Sequence, residues 1–126
     1  MKTTLTYTGI RVRDLEKSVA FYSGLLGMKE VGRGEIRATG GKVVSLASQD
    51  GGHQIELNHY PEGSAHAPKY SVGEALDHLA FQVQDLDAAL AEAGRAGHPV
   101  VLDMKGPTSR WAYIQDPDGI WIELFA

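Results

Sequence analysis

Hydrophobic and polar positions along this chain pass through the same succession of periods twice. In Thr6-Tyr7-Thr8-Gly9-Ile10-Arg11-Val12 the period is two, which predicts a strand with Ile10 and Val12 on one face and Tyr7 and Arg11 on the other. Asp14 follows as an N-cap, and Leu15, Val19, Tyr22 and Leu26 form a helical stripe that Gly27 ends. Strands are predicted over about residues 28–37, 41–48 and 52–59, parted by glycine turns at Gly40-Gly41 and Gly51-Gly52. After a polar stretch containing Pro61, Gly63 and Pro68, the pattern restarts at Asp77-His78-Leu79-Ala80-Phe81-Gln82-Val83. Asp85 or Asp87 caps a second helix carrying Leu86, Leu90 and Ala93, which ends near Gly97 with Pro99 behind it. Strands near 100–103, 111–116 and 120–125 complete the second unit.

The repetition can be tested on residues. Asp14-Leu15 and Asp85-Leu86 stand 71 positions apart (85 − 14), which lays Tyr7 over His78. Ile55-Glu56-Leu57 and Ile122-Glu123-Leu124 stand 67 apart (122 − 55), which lays Glu56 over Glu123. Three of these four positions hold metal-ligand residue types. On the last strand Ile120, Ile122 and Leu124 alternate with Trp121, Glu123 and Phe125, so Glu123 lies between two aromatics, a poor place for an idle charge. Either that face is solvent and its aromatics are exposed, or it lines a cleft that uses the carboxylate. The predicted fold is α+β, a single domain over residues 1–126. Two βαβββ modules, about 5–59 and 76–125, are joined by a linker over 60–75 and form a curled mixed sheet around a metal or ligand cleft.

Composition narrows the function classes. With 126 residues, 43% apolar and 22% charged, the chain can bury a core. A formal charge of −4 and a pI near 5.7 leave no basic face for a phosphate backbone, so no nucleic acid partner is expected. Cysteine is absent, which excludes a disulfide framework, a thiol nucleophile and a thiolate metal site; any metal must be held by His, Asp, Glu or Tyr. The segment Met1-Lys2-Thr3-Thr4-Leu5-Thr6-Tyr7 lacks the apolar core of a signal peptide and no apolar run reaches membrane-spanning length; the expectation is a cytoplasmic protein with no membrane partner.

The paired units, with Ile10-Arg11-Val12-Arg13-Asp14-Leu15, Phe21-Tyr22, Leu26-Gly27-Met28, Gln54-Ile55-Glu56-Leu57, Asp77-His78-Leu79-Ala80-Phe81 and Asp116-Pro117-Asp118-Gly119-Ile120-Trp121-Ile122-Glu123-Leu124, resemble the vicinal oxygen chelate superfamily of glyoxalases, bleomycin resistance proteins and extradiol dioxygenases. The closest branch is the glyoxalase I type. That resemblance implies one divalent ion (nickel, zinc, cobalt, iron or manganese) held by Glu56, His78 and Glu123. At the remaining position Tyr7 replaces the family's His or Gln, leaving three ligands or a phenol that ligates or supports a bound water. It further implies a lyase or isomerase acting on a small carbonyl or hemithioacetal through an enediolate, with Glu123 as the base that moves the proton. Substrate contacts would come from Arg11, Tyr7, Gln82, Trp121 and Phe125. Arg11 falls where glyoxalase I enzymes hold a glutathione carboxylate, whereas Tyr60-Pro61 replaces another polar glutathione contact. The superfamily also suggests a ring-cleaving dioxygenase, which generally needs two His and one Glu, or a non-catalytic antibiotic-binding protein that holds its ligand between aromatics. A homodimer is implied as well.

Other candidates have simpler readings. Arg11 could pair with a neighbouring carboxylate. His53 and His59 are near Glu56 but fall on the opposite strand face, and His66 and His98 read as surface residues. Asp116-Pro117-Asp118-Gly119 reads as a hairpin turn and lacks the remaining ligand spacing of a calcium loop.

Overall fold

Each half of the chain folds in the order strand, helix, three strands. The computed structural model describes residues 2, 7–36, 40–63, 76, 78–105 and 108–126, apart from the side chains of Ile36 and His78. Thr6, Asp77 and the part of the expected linker over 64–75, with His66 and Pro68, lie outside the described residues. The chain divides into two units, Met1–Tyr70 and Ser71–Ala126.

In the first unit β1 (Thr8–Arg11) leads to α1 (Leu15–Val19), which runs on as a π-helical turn over Ala20–Leu25. The strands β2 (Lys29–Ile36), β3 (Gly41–Ala47) and β4 (Gln54–His59) follow, and the sheet order is β1-β4-β3-β2. The pair β1·β4 is parallel, as a long crossover connection permits; the other pairs are antiparallel. In the second unit β5 (His78–Gln82), α2 (Leu86–Arg95), β6 (Leu102–Lys105), β7 (Arg110–Gln115) and β8 (Trp121–Phe125) build a sheet of order β5-β8-β7-β6, again with only the first pair parallel. Two four-stranded mixed sheets with few helices make the fold α+β.

The ladders confirm the repeat residue by residue. Thr8 pairs with Ile55 and Gly9 with Glu56; Leu79 pairs with Ile122 and Ala80 with Glu123. Offsets of 71 (79 − 8) on the first strands and 67 (122 − 55) on the last carry one ladder onto the other. The flanking backbone bonds follow suit, Val12 N to Asn58 O at 2.8 Å and Val83 N to Phe125 O at 2.7 Å.

Local chemistry sets the element ends. Asp14 is extended and its Oδ1 accepts from Lys17 N at 3.1 Å; Asp85 is extended and accepts from Ala88 N at 3.0 Å. Asp85, not Asp87, is therefore the second cap. Asp87 instead accepts from Arg110 Nη1 at 2.6 Å, and Asp103 accepts from Arg110 Nε and Nη2 at 2.9 and 2.7 Å. These bonds tie α2 and β6 to β7, and the guanidinium holds the Asp103 carboxyl below its usual range. In the first unit Glu16 and Glu30 grip Arg33 in the same manner.

The apolar stripes of β3, β4, β7 and β8 go inward, whereas β6 is exposed along its length and Val31 of β2 faces solvent. Val44, Leu46 and Leu57 are fully buried with Tyr22 in the first unit, and Ile114, Ile122 and Leu124 in the second. Each such side chain contributes about 1.5–3 kcal/mol. The strand expected near 100–103 forms its paired ladder only from Leu102, although Val101 N already bonds Tyr113 O at 2.8 Å. His98 departs from its surface expectation: it is half-buried, with Nδ1 3.0 Å from the Gln115 carbonyl.

Candidate functional site

Glu123 sits at the centre of β8, on the face opposite the core. Ile122 and Leu124 on either side are buried, and the period-two pleat turns Trp121, Glu123 and Phe125 the other way. Glu123 is half-buried, Phe125 half-buried and Trp121 37% exposed, so this face is only partly open to water. Across the antiparallel pair Trp121 faces Gln115, Glu123 faces Tyr113 and Phe125 faces Trp111. Tyr113 completes the setting: its hydroxyl donates to Glu123 Oε2 at 2.9 Å, and its ring meets Trp121 edge-on at 5.3 Å between centroids.

The turn that sets this register is the Asp116–Gly119 segment. Asp116 Oδ1 accepts from Asp118 N at 2.9 Å and Ile120 N at 2.8 Å, Gly119 N bonds Asp116 O at 3.0 Å, and Gly119 takes a φ of 83°. Both carboxylates of the turn are buried, which the hairpin reading did not anticipate. Asp116 braces the backbone from inside.

On the parallel side of β8, Ala80 faces Glu123, His78 faces Trp121 and Gln82 faces Phe125. Position 78 therefore lies one pleat repeat from the residue opposite Glu123. Gln82 is exposed.

The equivalent positions of the first unit are arranged alike on the backbone and differently in side chains. Gly9 and Ser45 flank Glu56 across the ladders, as Ala80 and Tyr113 flank Glu123. Glu56 is half-buried, and among the described residues its carboxylate engages no side-chain donor; Asn58 Nδ2 bonds the Glu56 carbonyl at 3.1 Å. Arg11, half-buried, faces Asn58. Tyr7 lies one residue ahead of β1, outside the strand expected to contain it, and is 51% exposed. His59 makes a structural contact, its Nδ1 3.3 Å from the Val12 carbonyl, and His53 is exposed one residue ahead of β4.

Within the second unit, the Glu123 carboxylate and an imidazole at position 78 are donor types that suit a divalent ion of borderline character such as nickel, zinc, cobalt, iron or manganese. Among the described residues no three His, Asp or Glu side chains are gathered around one point, and the His78 side chain is not among them. No described helix is long and apolar enough to cross a membrane.

Residues 4–124 match the family model described as Glyoxalase/Bleomycin resistance protein/Dioxygenase superfamily. The chain belongs to this superfamily. Among relatives of this glyoxalase-superfamily chain, a probable lactoylglutathione lyase of Vibrio parahaemolyticus is 33% identical over 125 residues, covering 95% of this chain and 88% of that protein. The lactoylglutathione lyase of Neisseria meningitidis serogroup A is similar to the same degree, 33% over 125 residues with 95% and 88% covered. A solved structure of the trypanothione-dependent glyoxalase I of Leishmania major superposes with a TM-score of 0.80 at 27% identity, covering 98% of this chain and 86% of that one.

Sequence reasoning overlooked Tyr113. The signal was present: strand pairing about the Asp116–Gly119 turn puts Gln115 opposite Trp121, and stepping back two residues on each strand arrives at Tyr113 and Glu123.

Proposed function

We propose that this protein is a metal-dependent glyoxalase I-like lyase that isomerises a hemithioacetal, formed from a small α-ketoaldehyde and a thiol, to a 2-hydroxythioester. The observation that carries this reading is the ladder equivalence of Glu56 and Glu123 together with the His78 position, in a chain 33% identical to lactoylglutathione lyases. Names of those relatives favour lyase chemistry over ring cleavage or ligand sequestration.

Glu56, His78 and Glu123 would hold one divalent ion, with the Tyr7 phenol near the remaining position. When bound, such an ion polarises the adjacent carbonyl and hydroxyl oxygens of the substrate and lowers the cost of placing negative charge there. The Glu123 carboxylate then accepts the proton from the carbon bearing hydroxyl and sulfur, and the C–H electron pair moves into the carbon–carbon bond of an enediolate. Glu123 returns that proton to the neighbouring carbon, the hydroxyl proton of the first carbon passes to the oxygen of the second, and the first carbon becomes the thioester carbonyl while the second carries the new hydroxyl. No atom is gained or lost. Trp121 and Phe125, flanking Glu123 on its strand, limit access of water to the reacting carbons, and Arg11 offers a cation to a carboxylate on the thiol carrier.

Elemental mass spectrometry on protein purified without chelator or affinity metal tests the ion, with Glu123→Ala alongside. Near-stoichiometric metal in the wild type, lost in the variant, is the expected result. Glu123→Gln should depress turnover of the methylglyoxal–glutathione hemithioacetal at least ~100-fold, the low end of general-base effects. Full activity in Glu123→Gln rejects the assigned base, and absence of metal after reconstitution rejects the metal-dependent reading.

A further inference from the structure

The two repeats place equivalent carboxylates at Glu56 and Glu123, but their cross-strand neighbours differ in a way that bears on function. Ser45 stands opposite Glu56 and Tyr113 opposite Glu123. Only the tyrosine hydroxyl bonds its carboxylate, donating to Oε2 at 2.9 Å. Its ring is restrained in turn by the edge contact with Trp121 at 5.3 Å and by the β7·β8 ladder. A long glutamate side chain on a partly open face otherwise samples several rotamers.

We propose that Tyr113 is a positioning residue: by donating to Oε2 it restrains the orientation of the Glu123 carboxylate, a contact for which Ser45 offers Glu56 no counterpart. The proposal rests on the role assigned to Glu123 above. Outer-shell donors of this kind orient ligands and bases, and their loss typically costs about 10–100-fold in metal affinity or activity.

Tyr113→Phe removes only the hydroxyl and keeps the ring that packs on Trp121, so a purely packing role predicts no change. Ser45→Ala is the matched control in the other repeat. In metal-free protein carrying tyrosine labelled with 13C at Cζ, the Tyr113 resonance is identified by its loss in Tyr113→Phe and should move in Glu123→Ala; an unmoved resonance overturns the proposal. Cobalt affinity, read by competition with a chromogenic chelator, should fall about tenfold in Tyr113→Phe and stay within about twofold in Ser45→Ala. In turnover of the hemithioacetal, kcat should fall about tenfold in Tyr113→Phe with KM within about twofold, because orientation of the base and not substrate binding is lost. Wild-type values of both cobalt affinity and kcat in Tyr113→Phe overturn the proposal. A wild type that neither takes cobalt nor turns over substrate overturns the function proposed above, and the Tyr113 resonance then decides the hold on Glu123 alone.

Discussion

Replacing Asp116 with alanine tests whether a buried carboxylate in the β7–β8 turn holds the register on which Glu123 depends. Asp116 is 4% exposed, and a single oxygen, Oδ1, accepts from Asp118 N at 2.9 Å and Ile120 N at 2.8 Å. Hydrogen bonds to a charged acceptor are worth about 1.5–3 kcal/mol each, and two that share one oxygen contribute less than their sum. A loss of about 3 kcal/mol is therefore expected for Asp116→Ala, with two buried N–H groups left to find water. Asp116→Asn keeps a carbonyl oxygen in place, and two neutral bonds at about 0.5–1.5 kcal/mol each reduce the loss to about 1–2 kcal/mol. Urea unfolding measures both, and the alanine variant should melt on the order of 10 °C lower for a domain of this size. Asp116→Ala within about 0.5 kcal/mol of wild type, or an asparagine variant as damaged as alanine, would refute the reasoning.

Further outcomes are expected elsewhere. Ile122→Ala, at a fully buried position between Trp121 and Glu123 on β8, should lose about 2–5 kcal/mol and Ile122→Val about 0.5–1.5 kcal/mol, read by the same denaturation; equal losses would contradict the cavity account. Gly27→Ala should cost about 1–2 kcal/mol, since φ is +72° and the Gln49 amide occupies the place of a Cβ; an unchanged urea midpoint would show that the turn relaxes freely. The Asp103 carboxyl is held below its ordinary value of 3.8 by hydrogen bonds from Arg110, so its contribution is present above that value and is lost as pH falls through the lower folded value. Arg110→Met should accordingly move acid unfolding to higher pH, and a coincident acid limb in circular dichroism would deny the clamp any part in it.

Much of this architecture is legible from periodicity. Alternation assigns Ile122 and Leu124 to the core and Glu123 to the other face, and the repeat offsets pair Glu56 with Glu123 as the ladders do. Other features were not legible for identifiable reasons. Asp85 and Asp87 are chemically identical candidates for one cap, and only the extended backbone at Asp85, with φ −140° and ψ 109°, selects between them. The π-helical turn over Ala20–Leu25 leaves no mark in the sequence, and the helix buries Leu15, Ser18, Phe21 and Tyr22 while Val19 and Leu26 of the expected stripe are only half-buried. His98 looked like a surface residue beside Pro99, and its carbonyl partner at Gln115 lies 17 positions away.

What the sequence by itself determined is the order of elements, the face each residue takes and the equivalence of the two halves, since these follow from short periods and fixed spacings along one chain. Tertiary structure alone decided which group meets which: that Tyr113 reaches the Glu123 carboxylate while Ser45 does not reach Glu56, and that the buried Asp116 carboxylate braces the turn between β7 and β8. Such contacts depend on ladder register, side-chain length and rotamer at the scale of a single hydrogen bond, and a pattern of apolar and polar positions carries none of those distances.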